Sequence, residues 1–379
     1  MGGAGSCSSQ GYNRQMRQAI NSRRLIGKSV ALFLAIEWLM MAIPLPLEKA
    51  SAFALVGLRR ERFPISTVSP ADIALDVGDL DAMFASHAIS ATKAADEFRV
   101  LVLGDSTIWG LGLTPQQVLP GQLNALGLTC GIKNLRFYNL SFPRSSASKD
   151  LMILDHAMAY QPDAIVWLLT WYTLMPKTRV DHWIVDQNPA EFARLATQFG
   201  FLPRDYVAPG WAESVFHRNR SLFRTLRFQL YPAVELATGQ DQIAGPPQVL
   251  VKQLTSDQTF EGLKPPTLRR NQVSLDQVAA FHRMAAGVPV LMVNSPILIL
   301  EGRPNSDLRY NSYYPRWVYD QYRLYLAEAA SINGWAYLDL WNVFPEELFA
   351  DTPLHLVPAA HRLLSTYLAP DIGKMCPQG

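Results

Sequence analysis

The chain has 379 residues, 49% apolar and 17% charged, which is enough apolar material for a large core and fits one α/β domain carrying an insertion. A formal net charge of +2 excludes the basic footprint of a nucleic-acid-binding protein, and 23 Gly and 26 Pro give neither a collagen-like nor a disordered composition. Three cysteines with no CxxC and no Cys/His spacing exclude a zinc-type metal site.

Residues 1–28 are small, polar and basic, and read as a disordered N-terminus. Arg14, Arg17, Arg23, Arg24 and Lys28 then precede an apolar run over 29–47, about long enough to cross a bilayer. Glu37 in its middle costs on the order of 2–3 kcal/mol on insertion scales, and Pro44 and Pro46 break its end. Ala50-Ser51-Ala52 fits a small-residue cleavage site. Two readings compete, an uncleaved signal anchor and a cleaved signal peptide, and both put the rest of the chain outside the cytoplasm. A buried helix of a soluble protein is the bland alternative. Lys49, Arg59, Arg60 and Arg62 follow the run, so the positive-inside rule votes only weakly on orientation. Cys130 and Cys376 would then lie in an oxidising compartment, either paired or as buried thiols.

Residues 48–97 show few patterns and read as a linker and approach segment. From Phe98 the rhythm changes. Phe98 to Leu103, Leu135 to Asn139, Ala164 to Leu169, Val288 to Val293 and Trp335 to Leu340 are short apolar runs of the kind buried on both faces of a parallel sheet. Helical stretches alternate with them. Pro120 suits the first turn of one, and Ser148 to Tyr160 carries apolar residues at helical spacing. Ser274-Leu275-Asp276-Gln277 is a capping-box sequence with Gly287 as a helix stop, and 315–331 and 358–368 read as the last helices. Alternating strands and helices predict a doubly wound sheet of about five parallel strands within a domain over 98–372, with ligands at the carboxyl ends of the strands. The stretch 172–273 interrupts the rhythm as a mainly helical insertion. Inside it Phe216, Leu222, Phe223, Leu226 and Leu230 share a helical spacing with Arg218, Arg220, Arg224 and Arg227 between them. That pattern fits an ordinary surface helix, and also a basic amphipathic helix on an anionic membrane.

The strongest local signal is Val102-Leu103-Gly104-Asp105-Ser106 followed by Gly110. A buried strand ending in Gly-Asp-Ser places a hydroxyl where such a sheet presents its site, although Asp-Ser also caps helices. A hydroxyl nucleophile needs a base, and the base needs an acid to fix its tautomer. Near the far end Asp351-Thr352-Pro353-Leu354-His355 offers both on one loop before the last helix. His361 falls on that helix and reads as structural.

These blocks resemble the SGNH/GDSL hydrolase family over roughly 98–369 outside the insertion. The resemblance implies a flavodoxin-like three-layer α/β/α fold and an acyl-serine intermediate on Ser106, with His355 as base and Asp351 as acid. It also implies an oxyanion hole from the Ser106 N–H, a second-block N–H and a third-block side chain. The middle blocks depart from the pattern. No glycine stands in Asn139-Leu140-Ser141-Phe142-Pro143-Arg144-Ser145, so the second N–H falls to Arg144 or Ser145. Thr170 takes the place of the third-block glycine and Tyr172 that of the asparagine, leaving the hydroxyl of Tyr172 or Thr173 as donor. Three residues separate Asp351 from His355 where the family has two, so the alternatives are a bulged loop that still carries the triad and a Ser-His dyad.

The function expected is a serine esterase, without metal or organic cofactor, acting on an ester-linked acyl group of a cell-envelope glycan or related molecule. The substrate step follows from location and resemblance, not from a residue. An O-acyltransferase of the same fold and a non-catalytic envelope-binding module are the rivals. Trp171, Tyr172, Trp183 and Trp211 are candidates to stack on sugar rings, with packing as the commoner role of such residues.

Overall fold

The computed structural model describes residues 22–42, 59–63, 80–203, 206–207 and 249–377. The chain divides into two compact units, Met1–Pro46 and Leu47–Gly379. In the first, helix α1 (Ser22–Ala42) starts earlier than the expected apolar run. It holds Arg23, Arg24 and Lys28, which leaves 29–42 as its apolar part. No helix among the described residues is long and apolar enough to cross a membrane. The remainder of the expected span, 43–47, and the expected disordered segment up to 21 lie outside the described residues.

The second unit is built on one six-stranded sheet in the order β2-β3-β1-β4-β5-β6. The strands are β1 (Glu97–Leu103), β2 (Thr129–Cys130), β3 (Lys133–Asn139), β4 (Ala164–Leu169), β5 (Val290–Asn294) and β6 (Ala336–Asp339). All pairings are parallel except the two-residue edge pair β2–β3. The five parallel strands thus follow the doubly wound order 2-1-3-4-5. Burial explains their sequences: β1, β4 and β5 are buried at every position, so they are mainly apolar without alternation, and the buried Glu97 and Arg99 of β1 pair with each other at 2.6 Å. The chain reverses its winding direction between β1 and β4, and the site lies at that point.

Helices cover both faces. On one, α2 (Leu80–Ser86), α5 (Ala147–Met158), α8 (Leu275–Met284) and α9 (Arg316–Asn333) pack on Leu101, Leu103, Ile165 and Trp167. On the other, α4 (Leu119–Ala125) and α10 (Pro358–Gly373) pack on Val100, Val102, Val166 and Val293. Trp167 and Phe281 stack with ring centres 3.9 Å apart and join sheet to helix. A disulfide links Cys130 in β2 to Cys376 after α10, resolving the choice left open above in favour of pairing.

Two expectations are corrected. The approach segment is no passive linker: Phe63, Leu80, Met83, Phe84 and Ile89 are core residues. Arg62 is fully buried, stacks over Trp109 and donates to the carbonyls of Trp109, Gly110 and Leu113. The capping box at Ser274 does not form either. Ser274 makes no side-chain cap, and Gln277 instead donates to Ser148 Oγ on α5 at 2.7 Å, a tertiary contact that outcompetes the local one.

Of the insertion, the described part holds α6 (Trp183–Gln187) and α7 (Pro189–Gln198). The expected basic amphipathic stretch from Phe216 to Leu230, and Trp211, lie outside the described residues. Trp171 is fully buried and serves packing.

Candidate active site

The Gly-Asp-Ser block forms a sharp strand-to-helix turn. Asp105 caps the one-turn helix α3 (Ser106–Trp109) by accepting the Thr107 N–H at 2.9 Å. Gly110 ends that turn at φ +90°, and its N–H returns to the Ser106 carbonyl. A Cβ at Gly110 would lie 2.0 Å from Val118 Cγ1, so this position accepts glycine alone. The turn leaves the Ser106 side chain at the carboxyl end of β1.

The loop between β6 and α10 comes to meet it. Ser106 Oγ lies 2.9 Å from His355 Nε2, and His355 Nδ1 lies 2.8 Å from Asp351 Oδ1. A carboxylate only accepts, so Nδ1 carries the proton and Nε2 accepts from the serine hydroxyl. The extra residue between Asp351 and His355 is absorbed by a tight loop. Phe349 bridges Leu356, and the Ala350 N–H donates to the His355 carbonyl at 2.8 Å. The Thr352 hydroxyl accepts the N–H groups of Leu354 and His355. The Thr107 hydroxyl then donates to the Leu354 carbonyl at 3.2 Å and docks the loop on the nucleophile turn. The bulged alternative is the one observed. Side chains of His355 and Asp351 are 14% and 19% exposed, open to a small molecule yet mostly dry.

Arg144, on the loop after β3, sits at φ +66°. A non-glycine residue in this region costs roughly 1–2 kcal/mol, and such strain persists only where neighbours over-determine it. Among the described residues, the N–H groups of Ser106 and Arg144 donate to no protein acceptor. The loop is tied to the nucleophile turn by the Phe142 N–H on the Gly104 carbonyl and by the Ser145 hydroxyl on Asp105 at 2.6 Å.

The two side chains expected as oxyanion donors have the following surroundings. The Thr173 hydroxyl is buried and accepts the Thr170 N–H at 3.1 Å within its own turn. Tyr172 lays its ring against Phe260, Tyr313 and Tyr314, and the charges acting on its hydroxyl are Glu261 and Arg309. Burial pushes that phenol well up, with Glu261 adding to it. Among the described residues, neither side chain is hydrogen-bonded to Ser106 or His355. Thr170, which follows β4 directly, keeps a buried hydroxyl next to that of Tyr314, and neither makes a well-formed hydrogen bond among the described residues.

Three residues escaped sequence reasoning. Lys149, fully buried on α5, donates to the carbonyls of Gly104 at 2.6 Å and Phe142 at 2.8 Å, and pairs with buried Asp150 at 2.9 Å. Burial raises Asp150 to about 6, with Lys149 opposing the shift. His182 caps α6 by accepting the Ile184 N–H on Nδ1, so its Nε2–H donates to the Pro143 carbonyl at 3.1 Å. Burial, then Lys149, lowers it to about 3 and keeps it neutral. A charged pair at the start of an apolar helix was the available signal for Lys149 and Asp150; His182 offered none. His361 is fully buried on α10 and is lowered to about 3 by burial and by nearby His355. Among the described residues, no group of His, Cys, Asp and Glu could hold a metal ion.

Fold and site together define an α/β protein with a hydroxyl, an imidazole and a carboxylate in series at the carboxyl edge of a parallel sheet, an arrangement able to support nucleophilic acyl transfer. No protein-family model and no curated protein matches the sequence. Solved structures similar to it are esterases and lipolytic proteins. A lipase/acylhydrolase from Enterococcus faecalis is 14% identical, with a TM-score of 0.37, over 74% of this chain and 99% of that one. A carbohydrate acetylesterase family member from Sinorhizobium meliloti is 15% identical, with a TM-score of 0.34, over 73% and 98%. The aryl esterase of M. smegmatis is 12% identical, with a TM-score of 0.33, over 73% and 99%.

Proposed function

We propose that the chain is a serine esterase that cleaves an ester-linked acyl group through an acyl-serine intermediate. The observation that carries the reading is the unbroken series from Ser106 Oγ to His355 at 2.9 Å and on to Asp351 at 2.8 Å. In this mechanism His355 Nε2 takes the Ser106 proton as the oxygen attacks the ester carbonyl. The N–H groups of Ser106 and Arg144 hold the oxyanion, and Asp351 stabilises the imidazolium. The imidazolium gives its proton to the leaving alcohol. Water, deprotonated by the same imidazole, then releases the acid and restores Ser106. A fluorophosphonate probe tests this directly. The wild type is expected to label at one serine and Ser106→Ala to stay unlabelled while folded. A folded wild type that resists labelling refutes the enzyme reading and supports the binding module.

The substrate class follows from chemistry and place. Tyr172 and Tyr313 meet edge to face at 5.8 Å, and burial, then the charge of Asp351, raises the Tyr313 phenol. Such an aromatic pair suits the apolar face of a sugar ring, in keeping with an acylated envelope glycan. A membrane tether accounts for α1, where Leu25, Val30, Leu32, Phe33, Leu34, Ile36, Trp38 and Leu39 are all exposed after a basic start. The apolar part of the helix, 29–42, would gain from an apolar environment. In cell fractions the full chain is expected to stay in the membrane pellet through alkaline carbonate, while a chain begun at Leu47 is released. Full-length protein in the carbonate wash removes the tether.

A further inference from the structure

The loop carrying Arg144 holds an unfavourable backbone conformation without a glycine, and two buried side chains account for it. Lys149 Nζ reaches the Phe142 carbonyl on that loop and the Gly104 carbonyl on the nucleophile turn, at 2.8 and 2.6 Å. His182 reaches the next carbonyl, that of Pro143, at 3.1 Å. A trans peptide points its N–H opposite to its C=O. Fixing the Pro143 oxygen toward His182 therefore fixes the direction of the Arg144 N–H away from it. Fixing the Phe142 and Gly104 oxygens on one ammonium sets the distance between this N–H and Ser106. Lys149 and His182 are buried, with 0% and 1% exposure, so their bonds to these three carbonyls are shielded from water.

Resting on the esterase reading above, we propose that Lys149 and His182 are positioning residues for acyl transfer, which hold the Phe142 and Pro143 carbonyls so that the Arg144 N–H faces the oxyanion formed at Ser106. The arrangement replaces what a glycine would otherwise provide. A glycine adopts a positive φ without strain, whereas Arg144 at +66° is held there by bonds to its two preceding carbonyls. Lys149 serves both partners of the reaction geometry at once, since the same ammonium also anchors the strand end that presents the serine. The Ser145 hydroxyl on Asp105 closes the tie from the other side of Arg144.

The test is steady-state hydrolysis of p-nitrophenyl acetate by the full chain and by four variants, with thermal unfolding of each as a check on folding. Lys149→Met removes the donors, and Lys149→Met/Asp150→Asn does so without stranding a buried carboxylate. His182→Leu removes the Pro143 contact, and His182→Gln keeps an N–H at the Nε2 position. A misplaced donor is expected to lower kcat by about 10- to 100-fold with KM within about threefold, because the oxyanion exists in the transition state and not in the bound ester. His182→Gln is expected to recover most of the loss seen in His182→Leu. Folded Lys149 variants with kcat within about twofold of wild type overturn the proposal, as does a rise in KM alone. Equal impairment of His182→Gln and His182→Leu also overturns it, and that pair decides the matter if the Lys149 variants do not fold. These outcomes leave Ser106 labelling intact. A wild type that neither labels nor hydrolyses fails the esterase reading itself and takes this proposal with it.

Discussion

Ser106→Ala and His355→Ala are each expected to lower kcat for ester hydrolysis by about 10⁴- to 10⁶-fold, and the double variant to be no worse than either. The two side chains act as one unit, joined at 2.9 Å, so removing one leaves the other without a task. Asp351→Asn is the informative member of the series. Its amide would present an N–H toward His355 Nδ1, or accept from it as a neutral group, and either way the wrong tautomer or an unstabilised imidazolium follows. A loss of about 10³- to 10⁴-fold is expected, smaller than for the serine because the ring stays near Ser106. KM should change little in all of them. Additive losses in the Ser106/His355 double variant, or an Asp351→Asn enzyme within about tenfold of wild type, would show that these side chains do not work in series. The second result alone would favour the Ser-His dyad.

The parts legible in the sequence are those where a local pattern and the tertiary demand coincide. The five parallel strands sit within a few residues of the expected runs, most clearly β1, β4 and β5, where burial on both faces favours apolar residues at nearly every position. Ser106, His355 and Asp351 were legible because each stands at a boundary with its own chemistry, a strand end and a loop before a helix. The three residues between Asp351 and His355 depart from the family spacing, and the Thr352 hydroxyl, accepting two backbone N–H groups, and the Ala350 N–H on the His355 carbonyl show how the loop fits. Arg62 and His182 were not legible. Each acts on carbonyls tens of residues away in the chain, and a carbonyl carries no sequence signature. The surroundings of Tyr172 and Thr173 were not legible either, since the turn Trp171–Leu174 and the aromatic residues against the Tyr172 ring are set by tertiary packing.

The same buried side chains that shape the site make the protein sensitive to acid. His87, His182 and His361 are all buried, and burial lowers them to about 4, 3 and 3 respectively. An unfolded histidine titrates near 6.5, so below that pH the unfolded chain binds protons that the folded chain refuses. Their stabilisation is present in full above about pH 6.5 and is lost as pH falls toward 4. Each contributes up to about 1.4 kcal/mol per pH unit, and three together about 4 kcal/mol per unit. Asp150 works in the opposite direction. Raised to about 6, it takes up a proton in the folded state before the unfolded chain does, so its burial penalty is relieved as pH falls through 6. His282, lowered to about 4 by burial, adds in the same direction, so four protons against one leave a net slope of up to about 4 kcal/mol per pH unit between 6 and 4, which exhausts a stability of 5–15 kcal/mol within a few units. Urea unfolding at pH 7.5, 6.5, 5.5 and 4.5 is expected to give a flat region followed by this fall. His361→Leu should reduce the slope by about 1.4 kcal/mol per unit, since the ring nitrogens it removes have no hydrogen-bond partner among the described residues. An unchanged slope in that variant would mean that His361 takes its proton without unfolding.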